Sequence, residues 1–244
     1  AGWRDTPAVD QAAVYQALVA VSQLLAEVPQ IAELDINPLI ANFEGAVALD
    51  ARIRLSAANP AGAGNFAIRP YPAEFEESVS WRGRTICLRP IRPEDEARHI
   101  EFLQHLDPED IRMRVFYSRR TMERTELARL VQIDYAREMA FVALAPGPDG
   151  QPQTLGVARA MVDPDNIEAE FGVIVRSELK GQGLGSLLMD KLINYLRGHG
   201  TKRLVATVLA ENDRMLKLGK QQGFEERHNG DGGDGTKSLF LTLN

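Results

Sequence analysis

The chain has 244 residues, of which 44% are hydrophobic, 25% charged and 7% aromatic, and this composition is typical of one or two folded domains and excludes disorder over most of the length. The net charge of −6 argues against a nucleic-acid partner, because there is no excess of Lys and Arg to neutralise phosphates. The single cysteine, Cys87, excludes an internal disulfide and a thiolate zinc site. The sequence shows no signal peptide and no long apolar stretch, so we expect a cytoplasmic protein without a membrane partner.

The first 55 residues predict a helix and a hairpin. Apolar residues recur at three- and four-residue steps through 9–28, the period of an amphipathic helix, and Pro29 ends it. Residues 31–41 and 46–55 predict two strands, and the Asn and Gly of the NFEG between them suit a hairpin turn. Because the chain begins without a Met, we expect it to be part of a longer protein.

Residues 56–74 predict a linker, because three prolines and two glycines interrupt any helical or strand period. From residue 75 onward strands and helices alternate. The predicted strands are 84–91, 138–145, 154–162, 167–175, 203–209, 223–228 and 237–243. The predicted helices lie within 94–131 and at 183–198 and 212–221. This mixed order predicts an α+β domain over 75–244 with a mixed sheet, and not a doubly wound parallel one.

The stretch KGQGLGS, residues 180–186, lies between a predicted strand and a predicted helix. Backbone amides at the start of a helix favour an anion there, and glycines permit positive φ and close approach. A P-loop requires Gly-Lys before the final Ser or Thr, and a dinucleotide fingerprint requires G-x-G-x-x-G. The stretch matches neither motif, so from its glycines alone a plain turn stays open beside a phosphate site.

Together with its flanks, VIVRSELKGQGLGSLLM (173–189) resembles the pyrophosphate-binding motif of the GNAT acetyltransferase superfamily. Lys180, Gly183 and Gly185 occupy the motif positions, with Lys in place of the usual Gln or Arg. Downstream, ENDRMLKLGKQQGF (211–224) resembles the second signature of that superfamily, an Asn, a helix and a final Gly-Phe. The resemblance implies a GNAT fold, a mixed and mostly antiparallel sheet flanked by helices, after the small helix and hairpin.

This resemblance also implies acetyl-CoA as the acyl donor, lying where two strands splay apart. Main-chain atoms of Ile174 and Val175 would hold the pantetheine arm. The loop would bind the pyrophosphate, mostly through backbone amides, at Lys180, Gly181, Gln182, Gly183, Leu184, Gly185 and Ser186. Asn212 would lie beside the arm near the thioester, and a helix N-cap is its alternative role.

Acetyl transfer to a lysine requires a base, because a free Lys side chain is protonated at pH 7. In strand 167–175, Glu168 and Glu170 share one face with Gly172 and Ile174. Glu170 lies nearer the cofactor site in an apolar segment, which favours a stronger base, and AEFGVIV resembles the strand that carries the catalytic Glu of bacterial protein-lysine acetyltransferases. We predict Glu170 as the general base, with Glu168, otherwise a solvated strand residue, as the alternative.

Three further patterns complete the candidate site. Many relatives carry a Tyr seven residues after the Asn of the second signature, where it protonates the departing thiolate, but counting from Asn212 gives Gly219. RMRVFYSRR, residues 112–120, predicts an amphipathic helix end or, because this region borders the acceptor cleft in the fold, a substrate-recognition segment. Cys87 predicts a packed small residue. The histidines lack the spacing of metal ligands and predict surface or helix residues: His99, His105, His199 and His228.

ELDINPLIA and ALDARIRL resemble the end of the ATP-grasp domain of nucleoside-diphosphate-forming acyl-CoA synthetases, so residues 1–55 are predicted to be the C-terminal remnant of such a domain. In that family the Asn of the NP pair and the Asp of the next strand bind magnesium, and Asn37 and Asp50 occupy these positions here. The lysine and glycine-loop half of that site would precede Ala1, so we expect no ATP or metal binding by this chain.

An acyl-CoA-synthetase-like region followed by a GNAT domain is the architecture of the large bacterial protein-lysine acetyltransferases that modify and inactivate acyl-CoA synthetases. The resemblance therefore implies direct, base-assisted acetylation of a protein lysine, with an acyl-CoA synthetase as the partner. Two alternatives stay open. One is the same chemistry on a small amine, and the other is a non-catalytic acyl-CoA sensor, which the missing acid at Gly219 would suit.

Overall fold

The computed structural model describes residues 7–56, 69–115, 124–228 and 235–243. Most of the predicted linker and the second half of RMRVFYSRR lie outside these ranges. The chain divides into two compact units, Ala1–Pro70 and Tyr71–Asn244. Within the described ranges, no helix is long and apolar enough to cross a membrane.

The first unit contains one helix and a broken hairpin. Helix α1 spans Gln11–Glu27, and the carboxylate of Asp10 caps it by accepting the N–H of Ala13 at 3.2 Å. The helix forms as predicted, although none of its side chains is fully buried. The strands are β1 (Ile31–Ile36), β2 (Leu39–Asn42), β3 (Gly45–Ala48) and β4 (Ala51–Leu55).

Each of the two long strands predicted for this unit is interrupted in its middle. Strand β1 pairs with β4 and β2 pairs with β3, both antiparallel, so the hairpin consists of two short ladders. Between the ladders, the N–H of Asn37 donates to the carbonyl of Asp50 at 3.2 Å, and that of Leu49 donates to Pro38 at 3.1 Å. The backbones of Asn37 and Asp50 are therefore adjacent, as the predicted hairpin requires.

The second unit contains eight strands and five helices in its described part. The strands are β5 (Glu77–Trp81), β6 (Arg84–Pro90), β7 (Glu138–Pro146), β8 (Pro152–Val162), β9 (Glu168–Val175), β10 (Arg203–Leu209), β11 (Glu225–His228) and β12 (Thr236–Thr242). The helices are α2 (Glu96–Gln104), α3 (Pro108–Val115), α4 (Arg124–Val131), α5 (Leu184–His199) and α6 (Asp213–Gln221). Every strand and helix predicted after residue 75 is found, and β5 is an additional strand.

Strand β5 pairs with β6 through a two-residue turn, Arg82 and Gly83, both of which have positive φ. Such tight hairpins require that conformation, and Gly adopts it readily. The Arg-Gly pair between two alternating segments was therefore a usable signal for β5 in the sequence.

The eight strands form one sheet in the order β11-β12-β10-β9-β8-β7-β6-β5. Neighbours are antiparallel except β9 and β10, which are parallel. The α+β prediction of a mixed, mostly antiparallel sheet is confirmed. The parallel pair is the one exception to the antiparallel pairing of the described sheet, and the candidate site lies at this pair.

Helices cover both faces of the sheet. On one face, α5 and α6 pack on a core that includes Phe141, Ala169 and Phe171, and on the other, α2 and α4 pack on a core that includes Val142 and Val157. Strand β9 follows this division, because Phe171 belongs to the first core whereas Ile174 contacts the second. The predicted alternation of faces along β9 is thus confirmed.

The second core also holds a histidine that is buried in its helix, α2. His99 is 5% exposed, and its Nδ1 has no hydrogen-bond partner in the described residues. Burial, and after it the positive charge of Arg159, lower the pKa of His99 from 6.5 to about 4, against a smaller opposing effect of Asp95. His99 is therefore neutral in the folded protein at neutral pH.

This histidine is expected to make folding stability depend on pH. The unfolded chain binds a proton at His99 near pH 6.5 and the folded chain only near pH 4, so acidification between these values favours unfolding. We expect the free energy of unfolding to fall by about 2 kcal/mol from pH 7 to pH 5, measured by urea titration. His99→Leu should remove this pH dependence and the exposed-site control His105→Leu should keep it; an equal dependence in both variants would contradict the assignment.

Candidate active site

The two parallel strands separate part-way along their length. Strand β9 pairs with β10 at only three positions, the last of which joins Glu170 to Val205, although both strands continue beyond it. Past this point, residues 171–175 and 206–208 line the two walls of one cleft. A strand edge that is not hydrogen-bonded exposes backbone donors and acceptors. The cleft therefore offers main-chain partners for an extended ligand, and Ile174 and Val175 lie on its wall as predicted.

The glycine loop closes one end of this cleft. Gly181 and Gly183 have φ of 71° and 84°, a conformation that residues with a Cβ rarely adopt. Gly183 is the N-cap of α5 and has no side-chain cap, so the amides of Leu184, Gly185 and Ser186 have no acceptor within the helix. These amides and the positive end of the α5 dipole favour a negatively charged group at this position.

Two side chains hold the loop in this form. The indole N–H of Trp81 donates to the carbonyl of Gln182 at 2.9 Å, and the side-chain amide of Gln222 donates to Oγ of Ser186 at 2.9 Å. Trp81 belongs to β5, the strand absent from the sequence prediction. The loop is thus anchored from opposite sides, by β5 and by the end of α6, which favours a preformed site.

Lys180, the first residue of the motif, forms an ion pair with Asp110 on α3. Asp110 also accepts the hydroxyl hydrogen of Ser177 at 2.5 Å, and Oγ of Ser177 accepts the N–H of Asp107 at 2.9 Å. The start of α3 is thereby joined to the segment that leads into the glycine loop. No local sequence pattern marks Asp110 as part of the site, because its partners lie some 70 residues away along the chain.

A second ion pair joins α3 to the opposite side of the cleft. The guanidinium of Arg112 donates to Glu109 of its own helix at 2.6 Å and to Glu211, after β10, at 2.5 Å. Glu109 and Glu211 both line the cleft. Helix α3 therefore contacts both sides of the opening between β9 and β10, and the RMR start of RMRVFYSRR belongs to the site.

Glu170 lies at the position where the strands separate. Its neighbours along the strand, Ala169 and Phe171, are buried on the opposite face, whereas Glu170 itself is exposed. The apolar shielding expected around Glu170 is therefore wrong for the described structure, because its side chain lies on the solvent-accessible side. Glu168 shares this face and forms an ion pair with Arg203 at 3.0 Å, so the two carboxylates differ in their surroundings.

Asn212 and Gly219 lie at the two ends of helix α6. The amide oxygen of Asn212 accepts the N–H of Met215 at 3.1 Å, which makes it the N-cap, and the residue also lines the cleft. Gly219 is buried, and a Cβ there would lie 3.0 Å from Leu239 and 3.6 Å from Phe224. A side chain at 219 would therefore point into the core and away from the cleft.

The remaining candidates lie outside the cleft. Cys87 is partly buried against the second core, and burial raises the pKa of its thiol, so it is packed as predicted. Within the described ranges, no group of three or more His, Cys, Asp or Glu side chains could hold a metal ion.

The cleft has a volume of about 960 Å³, large enough for a long ligand such as a nucleotide-linked thioester.

Comparisons with known proteins agree with this geometry. Residues 105–224 match the sequence model of the acetyltransferase (GNAT) family, and residues 1–55 match that of an ATP-grasp domain. The chain is 31% identical over 142 residues to acetyltransferase PA5475 of Pseudomonas aeruginosa, which covers 58% of this chain and 76% of that protein. It is also 31% identical over 154 residues to acetyltransferase Pat of Mycolicibacterium smegmatis, covering 62% of this chain and 43% of that protein.

Among solved structures, the GNAT domain of S. lividans PAT superposes with a TM-score of 0.63 at 24% identity, covering 71% of this chain and all of that domain. This match supports the fold of the second unit. The splayed parallel strands and the glycine loop of the second unit agree with the sequence matches. The chain therefore belongs to the GNAT family of acetyltransferases.

Proposed function

We propose that this chain transfers the acetyl group of acetyl-CoA to the side-chain nitrogen of a lysine on a protein, and that acyl-CoA synthetases are among its substrates. One observation carries the proposal. A carboxylate, Glu170, lies where β9 and β10 separate, next to Phe171 and Gly172 of the cleft wall although not itself among the described residues that line the cleft, and the amides at the start of α5 lie beyond the other end of β9. A phosphate-bearing thioester bound along the cleft would thus present its acyl end to a base.

The described residues fit acetyl-CoA. Amides of the loop, with those of Leu184, Gly185 and Ser186 unpaired within α5, would bind the pyrophosphate. The free edge of β9 at Ile174 and Val175 would pair with the pantetheine amides as a strand would. Asn212, on the other wall, would contact the arm through its side-chain NH2 group, because its amide oxygen already accepts the N-cap hydrogen bond.

In the proposed reaction Glu170 accepts a proton from the lysine ammonium, directly or through one water. The neutral amine then attacks the thioester carbonyl carbon to form the carbon–nitrogen bond, the nitrogen loses its second proton to water, and the carbon–sulfur bond breaks. The electron pair of that bond leaves with sulfur as the CoA thiolate. Because Glu170 is exposed, we infer that bound acceptor and donor together exclude water from it.

The protein acceptor is inferred from domain organisation. We infer that residues 75–244 are the acetyltransferase domain, 56–74 a linker and 1–55 the remnant of an ATP-grasp domain, and that the protein is cytoplasmic. The ATP-grasp match and the likeness to acetyltransferase Pat support this reading. A domain related to acyl-CoA synthetases beside an acetyltransferase favours a synthetase as the target.

The test is incubation of the chain with acetyl-CoA and a purified acyl-CoA synthetase, followed by mass spectrometry of lysine acetylation. Acetylated lysine above the background without enzyme is the expected result. Acetylation of polyamines but not of protein would select the small-amine reading. Binding of acetyl-CoA without transfer to either acceptor would overturn the proposal in favour of a sensor.

Asp110 offers a test of the role of Lys180. Asp110→Asn removes a negative charge beside the phosphate site and releases Lys180, so we expect acetyl-CoA to bind about threefold more tightly at low salt, with a smaller difference at high salt. Isothermal titration calorimetry measures both affinities. Asp165→Asn, in an exposed turn, is the matched control and should change neither. Weaker binding by Asp110→Asn would mean instead that the pair positions Lys180 for the ligand.

A further inference from the structure

Gly172, in the middle of β9, has no backbone reason to be glycine. Its φ lies outside the left-handed region, yet a Cβ at this position would lie 2.3 Å from three atoms of the Arg114 guanidinium. Glycine inside a strand weakens it and often marks a close approach of another group. The missing side chain is thus what lets the Arg114 guanidinium lie against the strand.

This contact lies at the reacting end of the cleft. Gly172 is the second residue beyond the last paired position of β9, and both Gly172 and Arg114 line the cleft. Gly172 shares its face with Glu170. If acetyl-CoA lies as proposed above, on which this inference rests, its thioester is adjacent to the Arg114 guanidinium.

The positive charge of Arg114 is not neutralised by an ion pair with any described carboxylate that lines the cleft. Among the described carboxylates that line the cleft, Asp110 pairs with Lys180, and Glu109 and Glu211 pair with Arg112. Other charged groups on the cleft wall are Asp107, Asp213, Arg214 and Lys217. No described carboxylate forms an ion pair with Arg114.

The groups that face Arg114 from the sheet are Glu170 on β9 and Arg159 on β8. Arg159 already pairs with Glu138 of β7, and behind it His99 of α2 is neutral near pH 7. Desolvation by the surrounding protein, and after it Arg159, lower the pKa of Arg114, whereas Glu170 raises it, although the residue is still exposed to solvent. A guanidinium nonetheless stays protonated at any pH at which the protein is folded.

The described residues of the cleft include no ordinary proton donor for the leaving thiolate. No Tyr, Cys or His is found among the described residues that line it. Position 219 faces the core, so no side chain there could reach the cleft. Of the two lysines on the cleft wall, Lys180 is paired with Asp110, whereas Lys217 belongs to α6, which follows β10.

We propose that Arg114 stabilises, as a permanent cation, the negative charge that develops on the acetyl thioester while its carbon–sulfur bond breaks, and so replaces the proton donor that the described residues of the cleft lack. The CoA thiolate leaves unprotonated and later takes its proton from water. A fixed cation in a water-excluded site lowers the energy of a transition state in which negative charge develops.

The experiment measures kcat over pH 6 to 10 with acetyl-CoA and a purified acyl-CoA synthetase. For the wild type we expect a rise to a plateau with no fall at high pH, because an arginine does not titrate there. Arg114→Gln should lower the plateau about 100-fold. Arg114→Lys should retain most activity near pH 7 and show a fall at high pH as its ammonium, with an ordinary pKa of about 10.4, loses its proton.

Gly172→Ala separates position from charge. Its Cβ would displace the guanidinium, a flexible side-chain end, so we expect about a tenfold loss of kcat in the wild type and none in the Arg114→Gln background. Arg129→Gln removes an exposed cation of α4 and is the matched control. Unchanged acetyl-CoA affinity in each variant shows that the cleft is intact.

Three results would overturn the inference. The first is a kcat plateau of Arg114→Gln close to that of the wild type, and the second is a fall of kcat at high pH in both the wild type and Arg114→Gln. The third is an equal loss of kcat from Gly172→Ala in both backgrounds. The slow hydrolysis of acetyl-CoA in the absence of any acceptor tests Arg114 separately, and the released CoA thiol measures its rate. Hydrolysis that depends on Arg114 without any lysine acetylation would refute only the proposed function. Equal hydrolysis by wild type and Arg114→Gln, with no transfer, would refute both.

Discussion

Glu170→Gln is expected to reduce acetylation of a protein lysine by about 10² to 10⁴-fold at neutral pH, with acetyl-CoA affinity unchanged. Gln is close to Glu in size but cannot accept the ammonium proton, so the loss falls on transfer and not on donor binding. Acetylated peptides quantified by mass spectrometry give the rate, and calorimetry gives the affinity. Because Glu170 is exposed and at the end of the paired register, the substitution should leave the fold intact.

Glu168→Gln is the matched control for this experiment. Glu168 lies two residues earlier on the same face, within the paired part of β9, where it forms an ion pair with Arg203. An exposed pair of this kind contributes little to stability, so activity should stay close to that of the wild type. If Glu168→Gln loses activity and Glu170→Gln does not, the general base has been assigned to the wrong carboxylate.

Gly183→Val is expected to weaken acetyl-CoA binding by about 10 to 100-fold, because a β-branched residue at φ of 84° costs about 1–3 kcal/mol of strain in the form that binds. The chain can relieve this strain only by turning the amides at the start of α5 away from the phosphate. Calorimetry with acetyl-CoA, and with CoA to separate the acetyl contribution, measures the effect.

Gly150→Val separates strain from binding. Gly150 has φ of 76° in the turn between β7 and β8, and a Cβ at either glycine would meet nothing within 4 Å. Both variants should lose similar stability, but only Gly183→Val should lose affinity. Equal affinities in the two variants would show that the loop does not bind the donor.

Much of the second unit was predictable because its determinants are local. Apolar alternation located β7 to β10, and the glycine pattern located the start of α5, where positive φ requires glycine at 181 and 183. The family resemblance then supplied the splayed strands. Strand β5 is short and mostly exposed, so the Arg-Gly turn that follows it was its main signal in the sequence.

The contacts of α3 could not be predicted, because they join residues far apart in the chain. Arg112 meets Glu211 across 99 positions, and no local pattern specifies such a partner. The shielding of Glu170 was mispredicted for a related reason. Apolar neighbours along a strand point to the other face, so burial of a strand residue depends on what packs over its own face.

The separation of β9 and β10 at Glu170 has a consequence for the choice of donor. From Glu170 to Val175 the strand spans roughly 17 Å at an ordinary rise per residue, and this segment connects Glu170, the proposed base, to the entrance of the glycine loop. Because β8 holds β9 along its other edge, that distance is rigid. If acetyl-CoA binds as proposed, a donor reaches both the phosphate site and Glu170 only when its arm matches this length, so we expect short acetyl thioesters without a nucleotide end to be poor donors.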